Sequence, residues 1–336
     1  MFTFGRDVAV SLVDDTFIFT TQTQPTPLVL PAYVAIQTGT KRILACGEEA
    51  KAMLDKEPDN ISVIRVLKEG AIAEQECAQA LFTFGLKALP ERLGLIRPRI
   101  IVACRNYEQG KAAIQMMSVK GGAREVFLME MGMATAIGMK LDVQTPEIKA
   151  VLTVSEDWFE FSVISLAGIL TGSTGAIGSQ TFVEDIQNHL TLAHQFRPEI
   201  GTLSSQLHTG GLAPSAVVEL PGWETWAGRT EEGRLTSKSV SRDELTIGLM
   251  PSLVRLTERL KTAIRRLSNE KQYQLSRTVI HATGSALKIP GLAQMISNQL
   301  GYPVTPFTSE AHPSIEGAKT VLKELNFLSR SSQPSK

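Results

Sequence analysis

Residues 7–19, DVAVSLVDDTFIF, alternate apolar and polar positions on either side of Asp14-Asp15, the pattern of two strands around a tight turn. Pro25, Pro27 and Pro31 then interrupt regular structure. Short strands are predicted at 33–36 and 42–46, and a helix at 48–54. Over 72–89, Ala73, Cys77, Ala80, Leu81, Phe84 and Ala88 recur at helical spacing until Pro90. A continuous apolar strand at 99–104, a helix at 110–119, a strand at 125–129 and a small-residue helix at 131–139 complete the first half. Strand and helix alternate as in α/β proteins.

The pattern begins again at 150–170, AVLTVSEDWFEFSVISLAGIL, where strand-forming residues flank the polar Ser155-Glu156-Asp157, a second hairpin. Strand density continues over 167–171, and 181–196 reads as a helix. Residues 201–234, with Trp223 and Trp226, are the least regular part and read as a small inserted subdomain. Pro251 reads as the first turn of a helix with an apolar stripe at Leu253, Leu256, Leu260, Ile264 and Leu267. Its other side carries Arg255, Arg259, Lys261, Arg265 and Arg266, a solvated face or a contact for an acidic partner. A strand at 278–282, a turn at 283–285, a helix at 290–300, a strand at 303–307 and a closing helix at 313–328 follow. The end, 330–336, reads as a disordered polar tail.

Composition changes this picture little. A length of 336 residues fits about two domains, and 34 basic against 34 acidic residues argue against a general nucleic-acid binder. Cys46, Cys77 and Cys104 lack metal or disulfide spacing, so a reducing cytoplasm is expected. No apolar run is long enough to span a membrane, and the N-terminus lacks the pattern of a signal peptide. The histidines show no ligand spacing, and no serine- or cysteine-nucleophile motif occurs.

Five collinear segments carry a resemblance: ILACGEEAKAML (43–54), NISVIRVLKEGAIAE (60–74), GGAREVFLME (121–130), MATAIG (133–138) and VISLAGIL (163–170). In sequence and order they resemble the bacterial actin family MreB, over about 7–325. The resemblance implies an actin-like α/β fold of the actin, chaperone and sugar-kinase superfamily. It has two α/β domains, each with a smaller subdomain, around an ATP cleft. On this reading 1–145 is domain I, with a small subdomain at about 33–75. Domain II is 146–328, with a small subdomain at about 187–245, and 329–336 is the tail. The family also implies head-to-tail filaments at the inner face of the cell membrane, serving cell shape and wall assembly.

The departures from the family pattern fall on its nucleotide site. The first phosphate loop, roughly DLGTANT, becomes Ser11-Leu12-Val13-Asp14-Asp15-Thr16, with Ser11 at the metal-side carboxylate and Val13 at the glycine. The second, DIGGGTTE, becomes Thr153-Val154-Ser155-Glu156-Asp157-Trp158-Phe159-Glu160 and keeps only the final Glu. The third survives in part as Thr283-Gly284-Ser285. Met131 stands at the catalytic Glu and cannot orient or deprotonate water. The adenine-side segment, 202–208, lacks the expected Glu and Lys.

These substitutions predict weak or lost ATP binding and hydrolysis, and a structural role in place of an enzymatic one. No cofactor is expected, with weak ATP or ADP and Mg²⁺ as the alternative. The carboxylate pairs at 14–15 and 156–157 read as solvated turns, not metal sites. Two other functions stay open: a working ATPase with unusual loops, and a non-polymerising adaptor of a membrane machinery. Expected partners are a second copy or a conventional MreB paralogue, the membrane and cell-wall proteins, with no nucleic acid. Location is expected to be cytoplasmic and peripheral to the membrane. Leu95 and Ile96, flanked by Arg92, Arg97 and Arg99, are the candidate lipid contact, set against the alternative that both tuck into the core.

Overall fold

The computed structural model describes residues 7–90, 93, 96–105, 108–212, 217–224, 235–307, 309 and 312–331. The chain divides into two compact units, Met1–Val143 with Ser309–Lys336, and Gln144–Thr308. The first unit opens with β1 (Val8–Val13), β2 (Thr16–Thr21) and β3 (Leu28–Pro31). A smaller layer follows, with β4 (Tyr33–Gln37), β5 (Ile43–Cys46), α1 (Glu48–Met53) and β6 (Ile61–Arg65). The ribbon β7 (Leu67–Lys68) and β8 (Ala71–Ile72) leads to α2 (Gln75–Ala88) and β9 (Arg99–Cys104). Then come α3 (Glu108–Lys120), β10 (Glu125–Glu130) and α4 (Met131–Gly138). The main sheet runs β10-β9-β1-β2-β3, with β9 and β10 parallel to β1, and the smaller sheet runs β5-β4-β6.

The second unit repeats this plan. Its strands β11 (Lys149–Val154), β12 (Phe159–Ser165) and β13 (Gly168–Gly175) precede α5 (Ser179–His194). A smaller layer holds β14 (Phe196–Pro198), α6 (Ile200–Gly210), β15 (Val217–Glu224) and β16 (Leu235–Ser241). The unit closes with α7 (Arg242–Ile264), α8 (Asn269–Ser276), β17 (Ile280–Thr283), α9 (Leu292–Leu300) and β18 (Val304–Pro306). The main sheet order is β13-β12-β11-β17-β18, and the smaller sheet is β14-β15-β16. Each main sheet lies in its own apolar core, led by Phe17, Phe19, Phe82 and Leu81 in the first unit and by Phe159, Phe161, Phe182 and Leu256 in the second.

Both predicted hairpins form where the alternation placed them. Asp14 and Asp15 take φ of 49° and 53°, the left-handed pair of a type I′ turn, which Asp tolerates better than most residues. Each unit also carries a separate three-stranded sheet, β5-β4-β6 in the first and β14-β15-β16 in the second. Four of the differences from the sequence reading bear on how the chain packs. The helix read from residue 72 begins at Gln75, because Ala71–Ile72 pairs as β8. Region 201–234 is more regular than its composition suggests, containing most of α6 and β15. Pro251 lies inside α7: the helix starts nine residues earlier, where Ser241 Oγ accepts the Glu244 N–H at 3.2 Å and Asp243 and Glu244 occupy the first turn.

The fourth difference concerns the last helix, α10 (Pro313–Ser331), which the sequence reading placed in the second domain. It belongs to the first unit, so Arg330 is helical, while 332–336 lie outside the described residues. α10 crosses α4 at two glycines: a Cβ on Gly138 would overlap the Pro313 carbonyl, and one on Gly317 the Ala134 carbonyl. Lys319 Nζ donates to the Gln24 carbonyl at 2.6 Å, and Gln22 Nε2 to that of Leu322 at 3.1 Å. Nothing local in the sequence says which sheet a C-terminal amphipathic helix will cover.

Candidate functional site

The first loop lies in the first unit, between β1 and β2. Ser11 is fully buried on β1, and its hydroxyl shares a 2.6 Å hydrogen bond with that of Ser314 at the start of α10. Ser314 Oγ in turn lies 2.7 Å from His312 Nδ1. Val13, at the family's glycine, is packed into the core. The Asp15 carboxylate does not face an open loop: Arg65, at the end of β6, meets it through Nη2 at 2.7 Å and Nε at 2.5 Å. Thr16 Oγ1 donates back to the Val13 carbonyl at 2.6 Å. Asp14 is half-buried beside it. Met131 is wholly buried as the first residue of α4.

The other two segments lie together in the second unit. β11 pairs with β17 so that Thr153 stands beside Thr283, bringing the β11–β12 turn next to Gly284 and Ser285. Gly284 has φ of 108°, and a Cβ there would overlap the Val154 carbonyl. That glycine therefore has a packing role whether or not a phosphate binds. In the turn, Thr153, Ser155 and Trp158 are buried, Glu156 is exposed and Asp157 is half-buried.

Part of the backbone of this turn is already engaged. The Ser155 N–H donates to the Trp158 carbonyl at 2.8 Å. The carbonyls of Ser155 and Glu156 accept from Ser179 N at 3.1 Å and Gln180 N at 2.8 Å. Those N–H groups open α5, and a helix N-terminus is otherwise a ready anion site. Gly178 allows the approach, since a Cβ there would strike both carbonyls.

Residues 202–208 form the middle of α6, where Leu203 and Leu207 are buried and His208 Nδ1 donates to the Ser204 carbonyl at 2.8 Å. Ile96 is 37% exposed, whereas Leu95 and Arg92 fall outside the described residues. Among the described residues, no group of three or more His, Cys, Asp or Glu could hold a metal ion. No described helix is long and apolar enough to cross a membrane. Sequence reasoning missed Arg65, quoted there only as part of a resemblance segment, and His312 and Ser314, which lie in no motif. It also missed Gly178, which its place between a strand and a helix could have flagged.

Paired α/β units, each with a five-stranded sheet, a smaller layer and a tight hairpin turn at its head, define an actin-like protein. Among solved structures, MreB5 of Spiroplasma citri bound to AMPPNP matches with a TM-score of 0.86 at 17% identity, covering 98% of this chain and 99% of the other. A MamK double helical filament matches at 0.75 and 15% identity over 95% and 98%. The chain belongs to the MreB/Mbl protein family, whose model matches residues 7–330. Its relatives include the cell shape-determining protein Mbl of Bacillus cereus, 24% identical over 97% of this chain and 98% of that protein. The cell shape-determining protein MreB of Pasteurella multocida is 27% identical over 90% and 88%.

Proposed function

We propose that this chain is a cell-shape protein that assembles as a filament or scaffold without an ATP cycle. The observation that carries the reading is the engaged backbone of the β11–β12 turn: its Ser155 N–H and the first N–H groups of α5 are bonded within the unit. A polyphosphate needs donors at this place and would meet the exposed Glu156 carboxylate instead. Ser11, bonded to Ser314, offers no carboxylate toward Mg²⁺, and Met131 offers no base. The residues present do not fit Mg-ATP. Actin-type stacking is a head-to-tail contact that propagates without closing, so it does not require a filled nucleotide site.

Nucleotide titration of the purified full chain, read beside negative-stain microscopy, tests this. The expected outcome is no saturable ATP binding, with filaments that form in nucleotide-free buffer and ignore added ATP or ADP. Saturable binding with scattering that rises only after ATP addition would favour a working ATPase, a reading supported by the AMPPNP and ADP held by MreB5 of Spiroplasma citri. Tight nucleotide-free monomers would favour an adaptor. The filament partner is a second copy or a conventional MreB paralogue, at the inner face of the membrane beside cell-wall proteins. Ile96, exposed next to Leu95, is the lipid contact of this reading. Unchanged liposome co-sedimentation of a Leu95→Ser/Ile96→Ser variant would remove that contact.

A further inference from the structure

Three of the exposed large apolar side chains of the second unit lie on one helix pair. Leu192 on α5 is 86% exposed, and Ile247 and Val254 on α7 are 58% and 38% exposed. The two helices run antiparallel: Asp185 meets Ser252 and Arg255, Ile186 and His189 flank Gly248, and His194 meets Glu244. α7 thus turns 244, 248, 252 and 255 toward α5, and Leu245, Leu249, Leu253, Leu256 and Leu260 into the core. What remains is a solvent stripe of Ile247, Pro251, Val254 and Glu258, at helical spacing.

Two features set that stripe apart from an ordinary solvated helix face. Pro251 sits in the helix interior, where proline is disfavoured by about 3 kcal/mol and has no N–H for the carbonyl of Ile247. The stripe is also divided lengthwise. Beyond Val254 the exposed surface turns basic with Arg259, Arg265 and Arg266, and the nearby acid Glu258 is held by Lys261 at 2.9 Å.

We propose that the α5–α7 face is a docking site for an amphipathic partner helix with apolar residues at one end and Asp or Glu at the other. The apolar end covers Leu192, Ile247, Pro251 and Val254, and the acidic end lies along Arg259, Arg265 and Arg266. Charge complementarity selects this occupant over a lipid surface. The apolar end is bordered by the exposed carboxylate of Asp243, one helical turn before Ile247, which anionic head groups would repel. The basic end begins about 18 Å further along the axis, at 1.5 Å per residue from 247 to 259, rather than flanking the apolar residues as on a membrane helix. The site lies in one unit and does not depend on the nucleotide reading.

The test uses the full-length protein and three labelled synthetic helical peptides: one with an apolar half and a Glu half, one with Lys replacing Glu, and a scrambled control. Fluorescence anisotropy should show saturable binding of the Glu peptide alone, weakened by salt. Leu192→Glu/Ile247→Glu should weaken it by at least about tenfold. Arg259→Glu/Arg265→Glu should do the same and turn preference toward the Lys peptide. All altered side chains are at the surface, and unchanged circular dichroism melts confirm that each variant folds. Equal binding of the Glu and scrambled peptides overturns the proposal. So does anionic-liposome binding, or self-association in sedimentation, that the apolar variant abolishes while Glu-peptide binding persists.

Discussion

Placing the family's catalytic residue back into this chain should harm the protein before it helps the chemistry. In Met131→Glu a carboxylate replaces a fully buried thioether, with Gly132, Ala134, Thr135 and Ala136 of the same helix also buried. An uncompensated buried charge costs about 3–5 kcal/mol. Its place at a helix N-terminus returns about 1 kcal/mol. A net loss of about 2–4 kcal/mol lowers Tm by about 4–16 °C for a unit of this size. Burial raises the folded-state pKa of the new Glu above its unfolded value near 4.3, so the deficit shrinks toward about pH 5 and is fully present at about pH 8. Thermal melts at both pH values, beside a steady-state phosphate-release assay, give the readout. Phosphate release should stay at background, because the exposed Glu156 carboxylate of the β11–β12 turn still repels a polyphosphate. An unchanged Tm together with turnover like that of an ordinary MreB would refute both the burial argument and the reading of the loops. Activity should require glycines at 155, 156 and 157 first, then Ser11→Asp, and only then Met131→Glu.

Gly138→Ala should destabilise the first unit by about 1–3 kcal/mol, because the added methyl meets the Pro313 carbonyl, which is backbone and cannot swing away; urea unfolding measures it. His281 has its pKa pushed down, first by burial and then by Lys149. The unfolded chain therefore takes up that proton first as pH falls below about 6.5, and stability drops there. A His281→Gln variant should show a flatter loss between about pH 7 and pH 5, read by melts. Burial, followed by Glu74, pushes the Cys77 thiol up to about 11, so a thiol reagent at neutral pH should label it only at the rate of unfolding.

The sequence by itself determined the local geometry. The alternation around Asp14-Asp15 gave the first hairpin, and the apolar runs at 99–104 and 150–170 gave central strands, because strand and helix periods are read from neighbours along the chain. Collinear motifs identified the family. How the substituted loops are held was decided only in three dimensions. Ser11 finds Ser314 at a separation of 303 residues, and Asp15 finds Arg65 at 50. The carbonyls of Ser155 and Glu156 find the start of α5, with Gly178 making room. The same holds for α10, whose amphipathic pattern forms a helix anywhere but which sits in the first unit through the glycine crossing with α4. Periodicity fixes which face a segment must bury; close packing between distant segments, which admits a backbone only where a Cβ is missing, fixes against what.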